Sequence, residues 1–284
     1  MTACPVCHSP DRTEYVRFEA ALQFDHCRAC DTVYKAFEAP EVRPDAALYE
    51  GVYHVRHRGK RWAHRVRKAS RQIIDASQFR NVESFLDVGC SVGYMIAAAE
   101  KLGMQGAGTD ISHDAVAAAR SRGLDARHGE LEAIPFDDQS FDLVSLRHVL
   151  EHTAYPERAL AEVRRVLRPG GLALIAVPDL HYWKGDRQRM TYRYFRPDDL
   201  GRQHYVYYSE LSLERLLEQH GFHVLSRSKA IYRARLAEKS PAHAAWEKLR
   251  HLIVRLSCAL TRRLRMRREL WFVAQLGELP RLSS

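Results

Sequence analysis

The chain has 284 residues, 46% hydrophobic and 28% charged, enough apolar material for one large core with a small module beside it. It shows no apolar run of the ~18 residues that a membrane span needs. The opening Met1-Thr2-Ala3-Cys4-Pro5 lacks the charged start and apolar core of a secretory signal. A cytoplasmic protein is therefore expected, with the inner face of the membrane as an alternative location. Lysine and arginine outnumber aspartate and glutamate to give a net charge of +9. That points to an anionic partner (nucleic acid, phosphate-bearing substrate or acidic membrane) without choosing among them.

Four of the six cysteines lie in the first 30 residues, as Cys4-Pro5-Val6-Cys7 and Cys27-Arg28-Ala29-Cys30. Two C-x2-C knuckles place four thiolates around one tetrahedral zinc, and a reducing compartment argues against disulfides. Residues 1–40 thus read as a zinc ribbon with short strands at 14–18 and 32–37, dependent on metal for much of its folding energy. Cys90 and Cys258 stand alone and read as structural.

Residues 41–80 read as a linker followed by a basic helix. Arg65, Arg67, Lys68 and Arg71 are interleaved with Trp62, Val66, Ala69, Ile73 and Ile74 at three- and four-residue spacing, an apolar stripe under a charged face. The rest, 81–284, alternates strand and helix. Strands are expected at 84–88, 106–109, near 124–129, 141–146, 172–177, 222–227 and 270–276. Helices are expected at 94–102, 114–122 (capped by Ser112), 154–167 and 209–220. A breaker run, Arg168-Pro169-Gly170-Gly171, ends the third of these helices. The expectation is an α/β fold: a Rossmann-like, mainly parallel sheet with helices on both faces, preceded by the ribbon.

The chemistry concentrates at Asp87-Val88-Gly89-Cys90-Ser91-Val92-Gly93. A strand runs into an acid, a two-glycine turn and a helix N-terminus, so a ligand can approach the backbone and its N–H donors closely. The spacing is not the G-x-G-x-x-G of a dinucleotide site. The segment resembles the first motif of the class I S-adenosylmethionine-dependent methyltransferases, with Ser91 replacing the middle glycine. Gly108-Thr109-Asp110-Ile111, Gly129-Glu130-Leu131-Glu132, Phe141 to His152 and Leu167 to Gly171 resemble the family's later motifs, in order. The resemblance implies S-adenosylmethionine as cofactor. Asp87, Gly89, Cys90 and Gly93 would form the loop. Asp110 and Ile111 would meet the ribose, Glu130 and Leu131 the adenine, and Arg147 would stand at the fourth strand's exit.

Most of the chain also resembles a subgroup in which a zinc ribbon precedes this domain and sugars are the acceptors. The implied reaction is methyl transfer to a sugar hydroxyl or carbon of a nucleotide sugar or bacterial surface glycan. A general base is then expected in the order His148, His204, His152, because histidine titrates near neutrality. An RNA methyltransferase, or an O-methyltransferase of a small aromatic or quinone, is the alternative. The aromatic and basic segment 178–208 reads as the substrate side. The basic helical insertion 234–268 reads as a surface helix, an oligomer contact or an anionic-membrane contact.

Overall fold

The structure is a computed structural model and describes residues 3–19, 22–36, 60–180, 204–227 and 269–277. The expected linker at 39–44, Cys258, the insertion 234–268 and most of segment 178–208 lie outside the described residues. Two sheets form. The smaller contains β1 (Arg12–Glu19), β2 (Leu22–Cys27) and β3 (Val33–Ala36). α1 (Lys60–Ser77) follows. The larger sheet is built from β4 (Ser84–Val88), β5 (Gln105–Asp110), β6 (Asp125–His128), β7 (Phe141–Arg147) and β8 (Leu167–Pro178). Between these strands run α2 (Tyr94–Lys101), α3 (His113–Arg120) and α4 (Pro156–Val166). The short β9 (Val206–Tyr207), α5 (Glu210–Gln219), β10 (Phe222–Arg227) and β11 (Glu269–Leu276) complete the described chain.

The large sheet runs β10-β11-β8-β7-β4-β5-β6. The five strands from β8 to β6 are parallel, and β11 is antiparallel to both its neighbours. Alternation along a strand sends successive side chains to opposite faces. Phe85, Leu143 and Leu174 therefore pack with Val66, Ile73 and Met95 of α1 and α2. Their neighbours Leu86, Val144 and Ile175 pack on the other face with Leu160 and Val163 of α4 and Leu213 and Leu217 of α5. Both faces are covered, so β4 is buried at all five positions, as a central parallel strand must be.

At the N-terminal edge of these strands the buried Asp142 ties the sheet together. Its Oδ2 accepts from the Ser84 amide (3.0 Å), the Glu83 amide (3.1 Å), the Ser84 hydroxyl (2.9 Å) and Arg168 (3.1 Å). Burial pushes this carboxyl up, but the Ser84 hydroxyl, the two amides and Arg168 together hold it below the ordinary range.

Two local expectations need correction. The run Arg168 to Gly171 does not lie between elements but inside β8, as an irregularity where pairing shifts from Phe141↔Leu167 to Leu143↔Leu172. Gly170, at φ +72°, supplies the left-handed turn that this extra length requires. Ile74 is not on the covered stripe of α1 but 43% exposed, because it falls just outside the Val66–Ala69–Ile73 face. Arg65, Arg67, Lys68 and Arg71 are exposed as expected.

The N-terminal sheet does not close on itself. Its sheet takes its fourth strand from β9, with Val33 opposite Tyr207 and Tyr34 opposite Val206. Cys4, Val6, Cys27, Cys30 and Tyr34 share one core with Leu150, Tyr208, Leu213 and Leu216. The N-terminal sheet and the segment from β9 into α5 are thus one packed unit.

Candidate active site

In a parallel α/β sheet the ligand crevice lies beyond the carboxyl ends of the strands. Here β4 ends at Val88, β5 at Asp110 and β7 at Arg147. A cleft of about 220 Å³ opens there between the loop after β4 and the turn after β7.

The loop is held by β5. The amides of Gly89 and Cys90 both donate to the Thr109 carbonyl, at 2.8 and 2.9 Å. Asp110 accepts from the Ser91 amide at 2.7 Å and the Ser112 amide at 2.9 Å. A carboxylate offers about four lone-pair sites, and these two bonds help fix its position on the cleft wall. Gly89 sits at φ +73°, and a Cβ there would lie 2.4 Å from Val149 Cγ2. Glycine is therefore required both by conformation and by the closeness of the turn after β7. Ser91, the residue replacing glycine in the motif, keeps the loop's shape by adopting φ +50°, where a non-glycine residue is strained.

The cleft wall includes Gly89, Asp110, Ile111, Glu130, Leu131 and Arg147 of the expected cofactor residues, together with His148 and His152. Three others stand behind it. Cys90 is buried, its side chain filling the space that a Cβ on Gly108 would need. Gly93 is the left-handed N-cap of α2. Asp87 lies beneath the loop, 3% exposed. These three shape the loop from below: Asp87 from the buried end of β4, Cys90 from within the loop and Gly93 at the start of α2. The wall also contains Ser91, Glu132 and Val149, which lie within the matched motifs, and Arg65, Tyr94 and Thr153, which lie outside them. Tyr94 opens α2 and Arg65 borders the apolar stripe of α1. Those positions were visible in the sequence, but not that α1 packs at the cleft mouth.

The floor beneath the loop fits an amino-acid zwitterion. Asp87 Oδ1, Ser145 Oγ and Arg147 Nε are all buried without a hydrogen-bond partner. Burial pushes the Asp87 carboxyl up to about 7, against the pull of the Arg147 charge and the Ser145 hydroxyl. A ligand bringing an ammonium and a carboxylate would satisfy both signs. S-adenosylmethionine carries that zwitterion at one end, an adenine at the other and ribose hydroxyls between, where Asp110 could accept from them, so the residues present fit it.

Beyond the methyl-transfer end, β7 runs out into His148, which has a left-handed φ of +57° and donates its amide to the Ala176 carbonyl at 2.8 Å. Strain of this kind persists where surrounding packing enforces it. His148 lies between two carboxylates, Nδ1 3.4 Å from Glu151 and Nε2 3.4 Å from Glu269. Burial opposes its charge, but the two carboxylates outweigh it and lift the imidazole to about 9. His148 therefore carries its proton at neutral pH. Glu151 and His152 follow in a short 3-10 turn, Leu150–His152. His204 arrives from the segment before β9, its ring edge-on to His152 at 4.6 Å. It is buried, and that desolvation lowers its ring to about 3. The structure thus brings all three expected histidines together. His148 and His152 face the cleft and His204 lies behind.

The four N-terminal cysteines also converge. Cys4 and Cys30 sulfurs are 3.6 Å apart, as are those of Cys7 and Cys27, far beyond a disulfide's ~2.05 Å. A tetrahedral zinc with Zn–S of ~2.3 Å has sulfur–sulfur edges of about 3.8 Å, so the set fits one zinc.

A family model described as a methyltransferase domain matches residues 54–227. A Mycolicibacterium smegmatis protein whose name reads "probable S-adenosylmethionine-dependent methyltransferase" is 32% identical over 160 residues, covering 56% of this chain and 59% of that one. A ubiquinone biosynthesis O-methyltransferase of Parvibaculum lavamentivorans is 33% identical over 111 residues, 36% of this chain and 44% of its own. The chain thus spans about half the length of these two relatives. Among solved structures, an S-adenosylmethionine-dependent methyltransferase from Mesorhizobium loti superposes with TM-score 0.52 at 16% identity, covering 74% of this chain and 99% of that one. The [4+2]-cyclase SpnF superposes at 0.51 and 19%, covering 82% and 91%, so the fold is shared beyond methyl transfer. On the extent of the domain match, this chain belongs to the methyltransferase-domain family of S-adenosylmethionine-dependent enzymes.

Proposed function

We propose that this protein transfers the methyl group of S-adenosylmethionine to a hydroxyl oxygen of a sugar, presented as a nucleotide sugar or within a bacterial surface glycan. The observation that carries the reading is the polar acceptor end of the cleft. Arg65, Glu132, His148, His152 and Thr153 line it, donors and acceptors suited to a polyhydroxylated, anionic molecule rather than to a prenylated ring. The net charge of +9 and the exposed Arg65 of α1 on the cleft wall agree with a phosphate-bearing acceptor.

When bound, S-adenosylmethionine supplies a methyl group activated by a positive sulfur. Asp110 holds the ribose, Glu130 and Leu131 border the adenine, and Asp87 and Arg147 receive the zwitterion. The protein's remaining task is alignment and proton handling, since a sugar hydroxyl is a weak nucleophile until its proton is drawn off. His148, already protonated, can position the acceptor oxygen but not take its proton, so proton removal falls to the His152 side of the cluster, on the cleft wall. The four cysteines hold a structural zinc that braces the module packed on this end.

A second reading, methylation of a phenolic hydroxyl on a quinone precursor, is favoured by the names of relatives such as the P. lavamentivorans enzyme. The experiment is a methyl-transfer assay with labelled S-adenosylmethionine against a panel of nucleotide sugars and polyhydroxylated phenols. Turnover on a nucleotide sugar, lost in Asp110→Ala, is expected. Turnover confined to phenols would replace the first reading with the second.

A further inference from the structure

We propose that Glu151, His152 and His204 form a binding site for a divalent transition-metal cation at the acceptor end of the cleft. One ligand atom from each lies within 4.8 Å of the others. Glu151 is 1% exposed, yet neither of its carboxylate oxygens accepts a hydrogen bond. The nearest cationic group is the His148 ring at 3.4 Å, an ion-pair distance too long for a hydrogen bond. That single ion pair leaves both buried oxygens without a hydrogen-bond donor, a state that costs free energy and that a coordinated cation would relieve. The two segments that bring the ligands together are fixed to each other, since the Tyr205 amide donates to the Glu151 carbonyl at 2.8 Å.

The donor set identifies the class of ion. Two imidazoles and one carboxylate suit zinc, iron, cobalt or manganese, whereas magnesium and calcium prefer all-oxygen sites. Ligand distances of ~2.1 Å bring donor atoms within about 4.2 Å of each other, so the triad must tighten by roughly half an ångström on binding. Three protein ligands leave coordination positions open. His152 is part of the cleft wall, so those positions open toward the acceptor. The cysteine cluster, closed on four sulfurs, has no such opening.

The catalytic role assigned to this cation rests on the hydroxyl-methylation reading above; its binding does not. The acceptor hydroxyl coordinates the cation, which lowers the hydroxyl pKa, and its proton leaves to water at the cleft mouth. The alkoxide oxygen forms a bond to the methyl carbon as the sulfur–carbon bond breaks. The sulfonium leaves with that electron pair as a neutral thioether.

The test uses the full-length, reduced protein. Metals retained on purification are counted by elemental analysis, and Co2+ is then titrated and followed by visible absorption. Thiolate-bound Co2+ shows intense sulfur-to-metal charge transfer, and Co2+ on histidine and glutamate does not. Beyond the cysteine site, retained metal plus thiolate-free Co2+ should total one per chain. His152→Ala should weaken that binding at least tenfold, a loss of about the size seen when even a ligand's orienting partner is removed. A circular dichroism spectrum and an unfolding midpoint close to wild type show that the variant is folded. Glu151→Gln gives the same readout if it folds. The proposal is overturned if only thiolate-bound metal is found, or if the second site survives unchanged in His152→Ala. Metal bound without sugar turnover would overturn the acceptor assignment and leave the site standing.

Discussion

Gly89→Ala tests whether the loop after β4 and the turn after β7 are locked together as the structure shows. Two penalties act. Holding alanine at φ +73° costs about 1–2 kcal/mol, the steric price of a left-handed L-residue. The new methyl would sit 2.4 Å from Val149 Cγ2, and relieving an overlap of that kind in a packed site costs about 1–3 kcal/mol. The sum is a destabilisation of about 2–5 kcal/mol, measurable by urea unfolding. The two parts separate in a double-mutant cycle. Val149→Ala removes the clashing methyl, so the pair should recover the overlap energy as a coupling of about 1–3 kcal/mol and keep the conformational cost. A single mutant within 0.5 kcal/mol of wild type, or a cycle with no coupling, would refute this account of the loop.

Three further predictions concern separate parts of the molecule. Asp142→Asn should lose about 2–4 kcal/mol at pH 7, since the lost charge weakens several charge-assisted bonds worth about 1.5–3 kcal/mol each. The folded-state pKa is depressed, so this contribution is present above the unfolded carboxyl value of about 4 and is lost as pH falls through the lower folded one. Unfolding curves of wild type and variant should therefore converge in acid, and a gap that is constant from pH 7 to pH 3 would contradict the assignment. Ser91→Gly should relieve the strain at φ +50° and stabilise the fold by about 0.5–1 kcal/mol after glycine's entropic cost; calorimetry showing destabilisation would place the strain elsewhere. Freshly purified reduced protein should contain one zinc that is lost in Cys27→Ser but kept in His152→Ala. Elemental analysis showing the same zinc content in Cys27→Ser would remove the cysteine site.

Much of the fold follows from local pattern. Ser84 to Val88, the two-glycine turn and the Ala-rich start of α2 form one continuous signal, and Ser112 caps α3 as its position before a helical stretch requires, accepting from the Ala115 amide. Cysteine spacing anticipates the four-sulfur cluster, because each knuckle is a local turn and the strands β1 and β2 return the chain to its start. What escaped was set by contacts distant in sequence. Nothing near Val206 announces that it will pair with Tyr34. Arg65 reaches the cleft only because α1 packs against α2. Glu151 reads as one more acid in a short turn. Its significance comes from burial, and that depends on β9 bringing Tyr205 and Tyr208 down over Leu150 and Glu151. Likewise His148 reads as a neutral base, while Glu269, 121 residues further on, turns it into a held cation.

The central claim is that the cleft between Gly89 and Val149 binds S-adenosylmethionine through Asp110. Isothermal titration of the full-length protein with S-adenosylmethionine, wild type against Asp110→Ala, tests it most directly. One hydrogen bond to a charged acceptor is worth about 1.5–3 kcal/mol, so the variant should bind at least about tenfold more weakly while keeping its fold by circular dichroism. Saturable one-to-one binding that falls by that amount is the predicted result. Affinity unchanged within twofold in a folded variant would contradict the account.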